Sequence, residues 1–185
     1  MKAALSCAIL SVALSLLCCV NAASVDFTFD TCISPALKVR GGVRSAICGA
    51  EGSDAVAFRG DDKRYVETRF YYMPTGGTVS FAHKLGSDSS TSGCENTDRG
   101  EGVVLEINRY SSRTENDIGW VAVWNSNSNQ TKYKGSMQQV SVSIPASNEY
   151  DKVQMRWRQL DDDGKGYDAW SLDSITITGE HQVYP

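Results

Sequence analysis

The sequence predicts an all-β protein, an antiparallel sandwich of about nine strands. Apolar residues recur at every second position in segment after segment. The clearest case sets Val153, Met155 and Trp157 against Gln154, Arg156 and Arg158, the alternation of a half-buried strand. These segments are short and separated by clusters of Gly, Asp, Asn, Ser and Pro, which punctuate strands with turns. No apolar pattern at helical spacing persists, and no internal repeat is present.

Taken in order, Val25, Phe27 and Phe29 alternate with Asp26, Thr28 and Asp30 as an edge strand. Residues 31–53 hold Pro35, Gly41, Gly42, Gly49 and Gly52 without lasting periodicity and read as a loop tied down by cysteine. Ala55–Phe58 is a short strand ended by Gly60-Asp61-Asp62. Tyr65–Met73 is β-favouring up to Pro74, and Val79, Phe81, His83 and Leu85 share one face of the next strand. A polar surface loop is expected over 86–102, followed by strands at Val103–Ile107, Trp120–Trp124 and Val140–Ile144, with Pro145 closing the last. Val153–Arg158 and Trp170–Ile177 then form two adjacent strands joined by an Asp- and Gly-rich turn at 161–166. Within the final strand the apolar phase slips between Leu172 and Ile175, which predicts a β-bulge that re-aims Asp173.

Residues 1–22 have the form of a secretory signal peptide. Lys2 gives the basic start, Ala3 to Val20 the apolar run, and Val20-Asn21-Ala22 the small-residue cleavage pattern. A single domain over 23–185 is expected to follow, exported and not inserted in a membrane. With a net charge of −4, the chain is a poor partner for nucleic acid. Removal of the signal leaves Cys32, Cys48 and Cys94. In an oxidising compartment this odd count implies one disulfide and a leftover thiol, or a bond between chains that makes a dimer. A Cys32–Cys48 bridge would close a loop of about 15 residues, worth roughly 3 kcal/mol on the chain-entropy model; Cys48–Cys94 would join more distant segments.

Asn129-Gln130-Thr131 is an N-glycosylation sequon in a polar loop. Tyr71, Tyr72, Trp124, Tyr133 and Tyr167 are the aromatics that would build a sugar-stacking surface. Arg69, Arg156 and Arg158 fall on the polar phase of their strands, where a shared cationic face would meet an acidic partner. Arg59-Gly60-Asp61 spells the integrin tripeptide at a turn. Catalysis is not expected: the only histidines are His83 and His181, with no nucleophile-elbow serine and no metal-binding histidine pair. Asp161-Asp162-Asp163-Gly164 does not open an EF-hand. Taking Gly164 as the loop glycine puts Gln159 and Trp170 where the first and last ligands belong.

Six segments in series resemble the reelin repeat, specifically one of its jelly-roll subrepeats. They are Cys48-Gly-Ala-Glu-Gly-Ser-Asp-Ala-Val-Ala-Phe58, Gly60-Asp-Asp-Lys-Arg64 with Thr68, Gly100-Glu-Gly-Val-Val-Leu-Glu106, Gly119-Trp120, Arg156-Trp-Arg-Gln159 and Trp170-Ser-Leu-Asp173. Reelin itself strings many subrepeats around cysteine-rich modules, whereas this chain holds one. It also has Leu85-Gly86-Ser87 where the family tends to follow Leu-Gly with cysteine. The resemblance implies that Cys94 takes that role and pairs with Cys48, leaving Cys32 over. It also implies a structural calcium ion, for which Asp30, Asp61 and Asp173 are the carboxylates to nominate. A calcium-bound Asp61 would be unavailable to an integrin. The implied function is contact rather than catalysis: a secreted module that engages an extracellular protein or matrix component, with carbohydrate binding on the same architecture as the alternative.

Overall fold

The computed structural model describes residues 23–46, 53–60, 63–87, 94–95, 97–161 and 167–179. Among them are β1 (Ala23–Phe27), β2 (Leu37–Arg40), β3 (Gly42–Ser45), β4 (Ala55–Phe58), β5 (Tyr65–Thr68) and β6 (Tyr71–Tyr72). The remaining strands are β7 (Gly77–Leu85), β8 (Val103–Ser111), β9 (Asn116–Asn125), β10 (Gln138–Ile144), β11 (Lys152–Gln159) and β12 (Trp170–Gly179). A 3-10 turn (Ser126–Asn129) leads into one helical turn, α1 (Gln130–Tyr133). The strands form two six-stranded sheets with antiparallel pairing throughout, as the alternation predicts. One runs β10-β7-β12-β4-β3 with β1 also on β12; the other runs β2-β5-β11-β8-β9 with β6 also on β11.

The last two strands do not form the expected hairpin. β11 is the middle of one sheet and β12 the middle of the other, and they share no pairing. Alternation reports which side of a strand is buried, not which layer it joins, and a connection of about ten residues easily crosses the roughly 10 Å between packed sheets. Trp157 and Trp170 are each 0% exposed inside the sandwich. Phe58 stacks on Trp170 with ring centroids 3.9 Å apart, and Phe81 meets Trp157 edge-on at 5.4 Å. Such aromatic pairs add about 0.5–1.5 kcal/mol each beyond the area they bury.

Two short strands lie in the segment expected to be loop. β2 adds to the sheet of β5 and β3 to that of β4. Gly41, at φ +68°, turns the chain between them. Gly42 leaves the space that the Phe58 ring occupies. Four-residue strands are too short to display a period, and the glycines that look like loop are what lets the chain change sheets. Likewise, the stretch expected to be surface loop contains Cys94 at 4% and Thr97 at 0% exposure.

The predicted bulge is present. Pairing of β12 with β7 shifts between Asp173 and Thr176, and Ser174 takes φ 49°. On the opposite edge, β4 pairs with Trp170–Leu172 and β1 with Ile175–Gly179, so the bulge falls where one neighbour stops and the other starts.

Arg64 ties the layers together at one end. Only 3% exposed, it donates to the carbonyls of Gly60, Tyr167 and Asp168 and to Oε1 of Gln159. The turn after β4 and the approach to β12 are thereby fastened to β11.

His83 is fully buried among the rings of Trp124, Tyr133 and Trp170, with Nδ1 3.1 Å from the Ser171 carbonyl. Burial drives its pKa down to about 3, against the smaller upward pull of the Ser171 carbonyl. The unfolded chain therefore takes up a proton near pH 6.5 that the folded chain refuses. Stability is full above that pH and falls as pH drops toward 3. Urea titrations at pH 7 and pH 5 should differ by about 2 kcal/mol from this group, and His83→Leu should lose that difference.

Candidate functional site

The outward face of the sheet centred on β11 carries the most organised polar chemistry among the described residues. Burying Val153, Met155 and Trp157 obliges Gln154, Arg156 and Arg158 to point outward. Register places Glu106 of β8 opposite Arg156 on one side and Glu67 of β5 opposite it on the other. Both arginines converge on Glu106. Arg156 donates from Nε at 3.0 Å and Nη2 at 2.7 Å to Oε2. Arg158 donates from Nη2 at 2.8 Å to Oε1 and from Nε at 3.2 Å to Oε2. The Arg156 guanidinium also lies 4.0 Å from the Trp120 ring centroid, a cation–π contact.

Glu106 is 7% exposed, so its charge is held mainly by these two partners. Burial alone would push its carboxyl up, but hydrogen bonds from Arg158 and Arg156 outweigh that and hold it below the usual carboxylate range. The partnership raises Arg158 further above its ordinary value. Two fixed guanidiniums against one carboxylate leave this part of the face net positive.

Beside the array, a groove of about 500 Å³ runs over β2, β5 and β11, with Lys38, Lys63, Tyr65 and Glu67 among its walls. Lys38 pairs with Glu67 at 3.5 Å, but at 58% exposure it contributes little to stability. Arg69 is exposed just past β5, on the rim of a smaller depression beside Gln154. The cationic residues expected to share a face therefore do so, and Glu106, which no sequence pattern singled out, organises them. A carboxylate on the polar phase of a strand looks solvated until the strand order puts two arginines across from it.

The second candidate place is the bulge in β12. Asp173 is 6% exposed; its Oδ1 accepts from the Ser174 amide at 2.7 Å and its Oδ2 from Ser53 Oγ at 3.4 Å. Burial pushes its carboxyl above the ordinary range, and the nearby charge of Asp30 pushes it further, against the Ser174 hydrogen bond. Asp30 itself is exposed, and its carbonyl accepts from Arg44. The two carboxylates are thus brought within electrostatic reach, while Asp61 lies outside the described residues. No group of three or more His, Cys, Asp or Glu side chains suited to a metal ion occurs among the described residues.

Cys94 is disulfide-bonded and Cys32 is an exposed free thiol, which removes the Cys32–Cys48 bridge; Cys48 lies outside the described residues. Asn129 is exposed at the end of the 3-10 turn, and its side chain makes no cap hydrogen bond to α1. The aromatics expected to form a sugar platform do not assemble. Tyr71 and Tyr133 are buried at 1% and 5%, and Trp124 packs on Phe81, His83 and Tyr133. Only Tyr167 among the five is largely open, at 53%. Their strand positions carry the same alternation whether a ring faces the core or solvent, so composition could not separate the two.

Comparison with known proteins agrees with this architecture. The family model described as Reelin subrepeat B matches residues 41–178. Among solved structures, the K1 cleaved adhesin domain of Lys-gingipain from Porphyromonas gingivalis W83 superposes with a TM-score of 0.51 at 12% identity, covering 85% of this chain and 99% of that one. The CBM22-1 xylan-binding domain of Xyn10C from Paenibacillus barcinonensis gives 0.52 at 10% identity, with 85% and 94% covered. A xylan-binding domain from CBM 22 gives 0.53 at 8% identity, with 86% and 96% covered. At such identities the structural likeness is one of fold.

Replacing Glu106 with Gln should destabilise the protein by about 2 kcal/mol near neutral pH, discounted for solvent around the arginines. Because the Glu106 carboxyl is held low, its contribution is present above the unfolded carboxylate pKa and lost as pH falls through the folded one. Chemical denaturation from pH 7 to pH 3 should therefore show the gap between wild type and E106Q closing toward acid.

Proposed function

The chain belongs to the Reelin subrepeat B family, and from that premise we propose that it is an exported contact module that holds an extracellular protein or matrix component on the outward face of the β11 sheet. The observation that supports this most is the Arg156–Glu106–Arg158 array stacked on Trp120. A side chain fixed before a partner arrives loses little freedom on binding, and two fixed guanidiniums suit carboxylate or sulfate groups geometrically. Export rests on the signal-like segment 1–22, and no helix among the described residues is long and apolar enough to cross a membrane. The exposed Cys32 thiol is the group through which two copies would be linked, and Asn129 is the site for a glycan.

A neutral-sugar reading draws on the xylan-binding domains of the same fold, but the burial of Tyr71 and Tyr133 removes two rings it would use. Binding to an immobilised extracellular matrix preparation separates the readings. The charge-reversed pair R156E/R158E, checked for an intact fold by circular dichroism, should lose retention at least tenfold. Undiminished retention would dispose of this face as the contact surface.

We also propose a structural calcium ion at the β12 bulge, with Asp173 and Asp30 as carboxylate ligands. The buried Asp173 carboxylate, disfavoured by burial and by the charge of Asp30, is the feature that fits a hard cation. Such an ion would neutralise the like charges and fasten the segment before β2 to β12. Calcium should raise the melting temperature of the wild type by several degrees and EDTA should reverse it. Asp173→Asn should melt higher than wild type in EDTA, because a costly charge is gone, yet gain nothing from calcium. An EDTA-insensitive wild type would count against the ion.

A further inference from the structure

We propose that the groove over β2, β5 and β11 is a binding site for a sulfated, polyanionic polysaccharide, which deepens the contact-module reading and rests on it. Although the chain as a whole carries a net charge of −4, the described lining of this groove reverses the sign. Four accessible cations, Lys38, Lys63, Arg156 and Arg158, stand against Glu67 and Asp161 there, with Glu106 behind the two arginines, so the balance stays positive. Two of the cations, Arg156 and Arg158, are already oriented by Glu106, and each spends only Nε and Nη2 on it. Nη1 of Arg156 has no acceptor among the described residues, and that of Arg158 reaches only the Gln159 carbonyl, at 3.5 Å. Guanidinium N–H groups therefore remain for an incoming oxyanion, and Arg supplies them in a planar fork that matches sulfate and carboxylate.

Lys38 and Lys63 extend the positive surface along the groove, and Arg40 stands exposed at the end of β2. Arg156 and Arg158 on β11 and Lys38 and Arg40 on β2 form two cationic rows, with members roughly 6.6 Å apart along each strand and the rows about 10 Å apart across β5, whose Glu67 and Tyr65 lie between them. A polymer with charges on successive sugar rings can meet several of them at once. An acidic peptide fits less well. Among the described lining residues, Tyr65 and Leu160 are the only substantially apolar side chains, and these two do not form the kind of pocket in which a peptide anchor is usually buried. Sulfate also stays ionised across the physiological range, so binding would weaken with salt but hardly with pH.

The test is calorimetric titration of the full chain, signal removed, with heparin, polyglutamate and neutral xylan at two salt concentrations. Heparin should bind, with affinity falling steeply as sodium chloride rises. The neutralised pair R156Q/R158Q should lose at least tenfold, and K38Q/K63Q, which leaves the Glu106 array intact, about threefold or more. The second pair keeps the test decisive if the first melts early. Heparin binding unchanged in both pairs, or no heparin binding at all, overturns the proposal. If heparin fails while R156E/R158E still abolishes retention on matrix, the contact face stands and only its ligand class is wrong. Polyglutamate binding as tightly as heparin at equal charge, or xylan alone binding, likewise defeats the polysaccharide assignment made here.

Discussion

Each sheet is built around one of two strands that follow one another in the chain, and each of those strands drives a tryptophan into the space between the layers. Trp157 on β11 and Trp170 on β12 are shut off from water, and every other strand joins its sheet by pairing outward from one of these two. The constraint reaches the surface because strand side chains alternate. Having committed Val153, Met155 and Trp157 to the interior, β11 has no choice about where Arg156 and Arg158 go. The candidate contact face is thus the reverse side of the best-packed strand, and its geometry inherits the stiffness of the core.

Electrostatics then decides what that face is like. Two arginines side by side on a sheet repel, and a carboxylate with 7% exposure would be costly alone. Placed together, each removes the other's penalty, and the depressed Glu106 carboxyl is the signature of that exchange. The contrast with Asp173 is instructive. It is comparably buried, but it faces Asp30 rather than a cation and is pushed upward instead. One carboxylate has found its countercharge within the chain, and the other has a like charge for its neighbour.

Much of this architecture is legible in the residues, and the parts that are not have physical reasons. Long alternating runs such as Val79–Leu85 and Val153–Arg158 mark strands and inner faces without ambiguity, because both period and length are unmistakable. The slip between Leu172 and Ile175 locates the bulge to the residue, since a single extra residue inverts every side chain after it. What no local pattern contains is pairing. Whether β11 lies beside β12 or across the core from it, and whether Glu106 stands opposite Arg156, are facts of strand order. The aromatic residues show the same limit, because Tyr133 in α1 and Tyr71 in a two-residue strand are buried by tertiary packing that their neighbours in sequence do not announce. The short strands β2 and β3 are hidden by the glycines that make their change of sheet feasible.

Because the contact face is held to be rigid through its shared strand with the core, native-state hydrogen exchange along β11 tests the account most directly. Amides of Met155 through Arg158 should exchange only through global unfolding, with the same free energy as those of Leu105 and Ile107 on β8 and the same dependence on denaturant. If the β11 amides instead exchange through a smaller, local opening while β12 stays protected, the two central strands are not one cooperative unit. The arginine array would then ride on a mobile strand, contrary to what is concluded here.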